Sequence, residues 1–127
     1  MIVNRPEIVA EVTDVFFQYE TALMENNVEA LDAFFWTSDL ALRYGVGERL
    51  YGFEAITTFR KKRPGGSPRR CLLKVIITTF GEDAATANAE FQRDGETRTG
   101  RQSQSWVRMS EGWRIVAAHV SLEAELS

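Results

Sequence analysis

Gly100-Arg-Gln-Ser-Gln-Ser-Trp-Val-Arg-Met109, then Ser110-Glu111-Gly112, then Trp113-Arg-Ile-Val-Ala-Ala-His-Val-Ser121: two strand-like runs flank a short turn. Such a pairing reads as a β-hairpin. With Glu111-Gly112 as a two-residue turn, Ser110 lies opposite Trp113. The register then pairs Arg108 with Ile115, Trp106 with Ala117, Gln104 with His119 and Gln102 with Ser121. One face grades from Trp113, Ile115 and Trp106 into Gln104, His119, Gln102 and Ser121. The other shows Met109, Val107, Val116, Ala118 and Val120. A ligand site needs an apolar wall with a few polar groups, so the graded face is expected to line a pocket. The aliphatic back suits a partner subunit or plain core.

Working outward, Arg70 to Phe80 and Ala84 to Gln92 read as two further strands, joined by Gly-Glu-Asp and Arg-Asp-Gly-Glu turns. Upstream the period changes. Ile8, Val12, Val15, Phe16, Tyr19 and Leu23 recur at helical spacing, which predicts an amphipathic helix from about Pro6 to Asn26. Val28 to Phe35 predicts a shorter second helix after the Asn26-Asn27 break. Leu40 to Tyr44 and Arg49 to Tyr51 predict a small hairpin around Gly45 and Gly47, and Phe53 to about Arg63 a third helix. Sequential strands usually pair, so the expected architecture is α+β: three N-terminal helices on the concave face of a curved, mostly antiparallel sheet. A length of 127 residues leaves room for one domain, 1–127.

Composition narrows the function. Cys71 is the sole cysteine and His119 the sole histidine, which excludes an internal disulfide and any recognisable zinc spacing. No Walker, dinucleotide-binding, nucleophile-elbow or metalloprotease pattern occurs. The N-terminus has no basic stretch followed by an apolar one, and no run approaches the ~18 apolar residues of a membrane span, so a cytoplasmic protein without membrane contact is expected. Net charge is -3, which disfavours a nucleic-acid partner. Yet 12 of the 15 basic residues are arginine, the better fork for a carboxylate. Six basic residues and no acid lie between Arg60 and Arg70, around a Pro64-Gly65-Gly66-Ser67-Pro68 connector. That run either is a solvated loop or concentrates a small anion at a cavity mouth.

Six positions could carry chemistry. Tyr19 sits on the buried stripe of the first helix, either as a core tyrosine bonded to a carbonyl or water, or as a donor to a bound ligand. Arg43 stands in an otherwise apolar strand, where a guanidinium must find Glu48 beyond the turn, solvent or an anionic ligand. Arg60 and Arg63 share those alternatives or snorkel into water. His119 titrates near neutrality but lacks an evident nucleophile, and Cys71 is expected to be buried and inert.

Three helices before a curved sheet, Tyr19 on the first helix and the closing Gly-Trp-Arg-Ile-Val-Ala-Ala-His-Val-Ser segment resemble the nuclear transport factor 2-like superfamily. More specific strings are Arg43-Tyr44-Gly45 with Glu48, Tyr51-Gly52, Phe59-Arg60, Arg63-Pro64 and Gly100-Arg-Gln-Ser-Gln-Ser-Trp106. Together these look like the AtzH-like subfamily. The resemblance implies a conical pocket, no cofactor, a homodimer through the sheet back and an association with amidases in nitrogen-compound breakdown. Its namesake activity is decarboxylating hydrolysis of a dicarboxylated urea. It implies Tyr19 and Arg43 as catalytic residues, the arginine anchoring a carboxylate of a small anionic substrate. Trp36, Arg60, Gln104 and His119 are expected to shape the substrate pocket. Steroid isomerisation is disfavoured, because it needs a carboxylate base where the first strand offers Arg43. The alternative is a non-catalytic module that binds a small anion, or dimerises, beside an amidase.

Overall fold

The computed structural model describes residues 1–125 as three helices packed on one six-stranded sheet. The helices are α1 (Pro6–Met24), α2 (Val28–Phe34) and α3 (Phe53–Lys62). Strands β1 (Leu42–Tyr44) and β2 (Arg49–Tyr51) precede α3. After the connector come β3 (Arg70–Phe80), β4 (Ala84–Arg93), β5 (Gly100–Met109) and β6 (Gly112–Leu122). In space the order is β2-β1-β6-β5-β4-β3. Every neighbouring pair is antiparallel except β1 and β6, which run parallel and set Arg43 beside Ala118. Among the described residues no helix is long and apolar enough to cross a membrane.

Local chemistry explains the helix ends. Pro6 opens α1, where its missing N–H is no loss. Asn26, at φ 52°, turns the chain out of the helix. The Asn27 N–H then donates to the Ala22 carbonyl at 2.9 Å and the Asn26 N–H to that of Leu23 at 3.3 Å, a Schellman closure. Asn27 also starts α2, its side chain accepting from the Ala30 N–H at 3.1 Å. Arg60, Lys61 and Lys62 fall in the last turn of α3, at the negative end of its dipole.

Trp106, Phe16, Phe35, Phe91, Ile56 and Ile115 are the largest fully buried side chains. Gly100 is fitted to one of them: a Cβ there would fall inside the Phe91 ring. Gly100→Ala is therefore expected to lower stability by about 1–3 kcal/mol, as overpacking of a filled core does, measured by urea denaturation. A neutral substitution would show that the Phe91 layer yields freely.

The β5–β6 hairpin differs from the sequence expectation in a way that matters for the site. Met109 pairs with Gly112 and Arg108 with Trp113, so the turn is Ser110-Glu111. Trp106 then faces Ile115 while Ser105 faces Ala117, leaving Val116 as an extra residue on β6. A bulge of one residue reverses side-chain parity beyond it. Trp113 and Ile115 face the helices before the bulge, and Ala118 and Val120 do so after it. His119, expected in the pocket, is turned to the outer face and exposed. The expected all-aliphatic back is corrected likewise. Around β1 and β6 it shows Tyr44, Ser103, Ser105, Ala117 and His119.

Candidate anion site

Under the helices, α1, α3, β1 and the connector surround a hollow. It is lined by Tyr19, Leu23, Asn26, Leu31, Arg43, Phe59, Arg60, Arg63, Gly66 and Ser67. Its enclosed room is small, about 20 Å³, and it opens to solvent. Each functional side chain arrives by a local rule. Tyr19 lies on the same buried stripe of α1 as Val12 and Phe16. Arg43 is the middle residue of the three-residue β1. Phe59, Arg60 and Arg63 come from the last turn and cap of α3. Gly65 and Gly66, at φ 71° and 75°, bend the connector over the mouth, where the Asn26 side chain lies so close that a Cβ on Gly66 would overlap it.

The guanidinium of Arg60 joins the helices. Its Nη2 donates to the Tyr19 hydroxyl at 2.8 Å, and its Nη1 lies 3.5 Å from Asp32 Oδ1. Asp32 is steadied by the Thr57 hydroxyl, which donates to Oδ2 at 2.5 Å. Arg60 also stacks over Phe35, 4.7 Å from the ring centre. Because the phenolic oxygen accepts from Arg60, its own proton is free to point into the hollow. Tyr19 is thus a buried donor with a cation behind its oxygen.

Across the hollow, Arg43 Nη1 donates to Glu48 Oε1 at 3.0 Å, the internal pairing that the sequence left open. The same oxygen lies 3.8 Å from Arg63 Nη2, so one carboxylate is shared by two guanidiniums. Phe59 separates them, with Arg63 4.7 Å and Arg43 5.9 Å from its ring centre. Stacking of this kind holds the planar forks in place. Among the described residues, Arg43, Arg60 and Arg63 pair with Asp32 and Glu48, a surplus of one positive charge. Burial, then the repulsion of Arg43, lowers the pKa of Arg63 despite Glu48. Positive charge in a partly dry hollow is what an anionic ligand would relieve.

Of the six side chains expected to form the catalytic site and substrate pocket, Tyr19, Arg43 and Arg60 come together here, with Arg63 beside them. Three do not. His119 is on the outer face, edge-on to Tyr44 at 5.5 Å between ring centres. Trp36 follows the end of α2, its backbone N–H donates to the Ile115 carbonyl at 3.0 Å, and it is not among the residues that line the hollow. Its neighbour Phe35 takes the place beneath Arg60. Gln104 is buried one layer deeper, accepting from the Trp106 indole N–H at 3.0 Å. It sets the ring that packs on Phe34, and Phe34 packs on Tyr19. Cys71, expected to be buried, is exposed.

Sequence reasoning passed over Glu20 and Asp32. Glu20 follows Tyr19 and lies four residues after Phe16, on the buried stripe, so a partner cation was required. That partner is Arg70: its Nε and Nη2 donate to Glu20 at 3.1 and 2.6 Å, and Nη2 also donates to Gln102 Oε1 at 3.0 Å.

Three helices on a mixed six-stranded sheet, enclosing a cationic hollow, place the chain in the nuclear transport factor 2-like, cystatin-like class. Within that class it belongs to the AtzH-like family, whose sequence profile matches residues 1–125. A crystal structure of a protein of unknown function of the DUF3225 family from Pectobacterium atrosepticum is 52% identical, with a TM-score of 0.93. The match covers 96% of this chain and 95% of that one. A cystatin-like fold protein from Burkholderia xenovorans is 46% identical over 99% of both chains, with a TM-score of 0.94. A nuclear transport factor 2-like superfamily protein from Salmonella enterica shares the fold at 24% identity and a TM-score of 0.76, covering 95% of this chain and 94% of its own. No curated protein matches the chain.

Proposed function

We propose that the chain is a cofactor-independent hydrolase or lyase acting on a small carboxylated urea or amide in nitrogen-compound catabolism. The observation that carries this reading is the meeting of the Tyr19 hydroxyl and the Arg43 guanidinium in one cationic hollow. Arg43, with Glu48 giving way, anchors a carboxylate of the substrate. Loss of carbon dioxide from an N-carboxylated nitrogen breaks the N–C bond, returns its electron pair to nitrogen and requires one proton there. Tyr19 is the donor at hand, and Arg60 stabilises the phenolate left behind until water restores the proton. The reading includes an amidase acting on the product and a homodimer closed through the outer face of the sheet.

Tyr19→Phe keeps the ring and its packing on Phe34 and Phe35 but removes the proton. It is expected to lower kcat for release of carbon dioxide by about 10²–10⁴-fold, the usual weight of a general acid, with KM little changed. A wild-type protein that releases none from any N-carboxylated urea or amide would overturn the proposal.

A further inference from the structure

The hollow is too small for what its charge invites. Its enclosed room of about 20 Å³ is close to the space of a single water molecule. Even acetate is several times larger, so a wall must move before a carboxylate enters. Most walls are fixed. Tyr19 and Leu31 are buried on α1 and α2. Arg60 is held by Tyr19, Asp32 and the Phe35 ring, and Arg43 sits in β1 between β2 and β6, paired with Glu48. The remaining wall is the connector, from which Gly66 and Ser67 line the hollow.

The connector is tied at both ends and loose between them. At the near end the Arg63 N–H donates to the Arg60 carbonyl at 3.3 Å and its guanidinium stacks on Phe59. At the far end the Arg69 carbonyl accepts from the Asp94 N–H at 2.9 Å. Among the described residues, 64–68 make a single hydrogen bond, from the Gly66 N–H to the Arg63 carbonyl at 3.3 Å, and that bond lies within the turn itself. Pro64 and Pro68 have no N–H to give. Gly65 and Gly66, both at positive φ, change backbone conformation without steric cost. Gly65 is exposed, and Gly66 is seated against the Asn26 side chain, where a Cβ would stand 2.5 Å from the Asn26 Cγ. Asn26 is a firm post, because its N–H and that of Asn27 close the end of α1. Lys61, Lys62 and Arg69 are exposed on either side and give the mouth a positive rim.

We infer that residues 64–68 form a flap over the hollow, which lifts from Asn26 to admit a small carboxylate and reseats on Asn26 behind it. The inference rests on the hollow of the proposed hydrolase as an anion site, and not on the chemistry performed there. The glycines supply the motion, and the prolines at either end keep the flap short and stiff. Closed, it keeps water from the guanidiniums, which strengthens their hold on a carboxylate.

The test follows isotope-labelled acetate by NMR, whose line shape reads both binding and exchange. The wild type should bind acetate saturably, and Arg43→Gln should remove that binding, which assigns it to the hollow. Asn26→Cys with Gly66→Cys, made together with Cys71→Ser to remove the exposed native thiol, ties the flap shut. The two Cβ atoms would stand 2.9 Å apart, a small shift from the ~3.5–4.5 Å across a disulfide. Oxidised until no free thiol remains, this protein should exchange acetate about tenfold more slowly or worse, and reduction should restore the rate. Gly66→Ala is the opposite variant: its methyl cannot share the space of the Asn26 side chain, so the flap does not seat. Acetate should then leave about threefold to tenfold faster. If the disulfide does not form, Gly66→Ala decides alone. Equal exchange in the oxidised and reduced forms overturns the flap, as does wild-type release from Gly66→Ala or a wild type that binds no acetate. The hydrolase is read separately, by carbon dioxide release. Flap-gated acetate binding without that release would remove the hydrolase and leave the flap.

Discussion

Arg43→Ala should lower kcat/KM for a carboxylated urea by between about 30-fold and 3,000-fold, the effect of truncating one partner of a desolvated, hydrogen-bonded charge pair. The loss should fall on substrate binding and on turnover together, because a substrate no longer held by its carboxylate also loses its alignment to Tyr19. Stability should change little. Removing Arg43 does not strand Glu48, which keeps Arg63 at 3.8 Å and the Gly47 N–H, donating at 3.2 Å. It also leaves one fewer cation in a site that holds a surplus. Thermal unfolding and steady-state kinetics on one preparation separate the outcomes. A variant that unfolds, yet is fully active in its folded fraction, would make Arg43 a structural residue and leave the site without its anchor. Arg43→Lys refines the result, since the lysine restores charge without the planar fork and should recover only part of the activity.

The largest stability effect is expected elsewhere. Arg70 is 3% exposed and its partner Glu20 12%, in a contact sealed by Gln102 and the Phe91 ring. Arg70→Met leaves the Glu20 carboxylate buried and alone, and Glu20→Leu does the same to Arg70. Either should cost about 3–5 kcal/mol, because the desolvated charge keeps its penalty and loses its compensation. The double variant should cost less than the sum of the two, and less than either single one if methionine and leucine fill the space. Urea denaturation of the four proteins measures the coupling. Single variants within about 1 kcal/mol of the wild type would mean that water reaches the pair and that it is a surface bridge.

Much of this architecture was legible in the chain because it rests on local periodicity. The stripe of Ile8, Val12, Phe16 and Tyr19 specifies α1 and the direction of the Tyr19 side chain, whatever α1 packs against. Arg43 in an apolar strand, with Glu48 five residues on, told of a guanidinium in need of a partner, and Glu48 was one of the three partners it allowed. The strand boundaries of β3 to β6 differ from the expected ones by at most one residue at each end. What failed was parity. The hairpin turn sits at Ser110-Glu111, and Val116 adds a residue to β6. These are decided by packing across the sheet, and a single residue of slip moved His119 from the pocket to the outer face. Trp36 and Phe35 exchanged roles for the same kind of reason, at the point where α2 gives way to an extended chain.

By itself, then, the sequence determined which segments are helices and which are strands, that Tyr19 is inward, and that Arg43 needs an anion. Those follow from the spacing of apolar residues and the cost of a buried charge, both of which act within a few residues. Only the tertiary structure brought α1, β1, the end of α3 and the connector after it to one hollow. Residues 19, 43 and 63 are far apart in the chain, and their convergence depends on the parallel seating of β1 against β6 and on strand order, which no local pattern encodes.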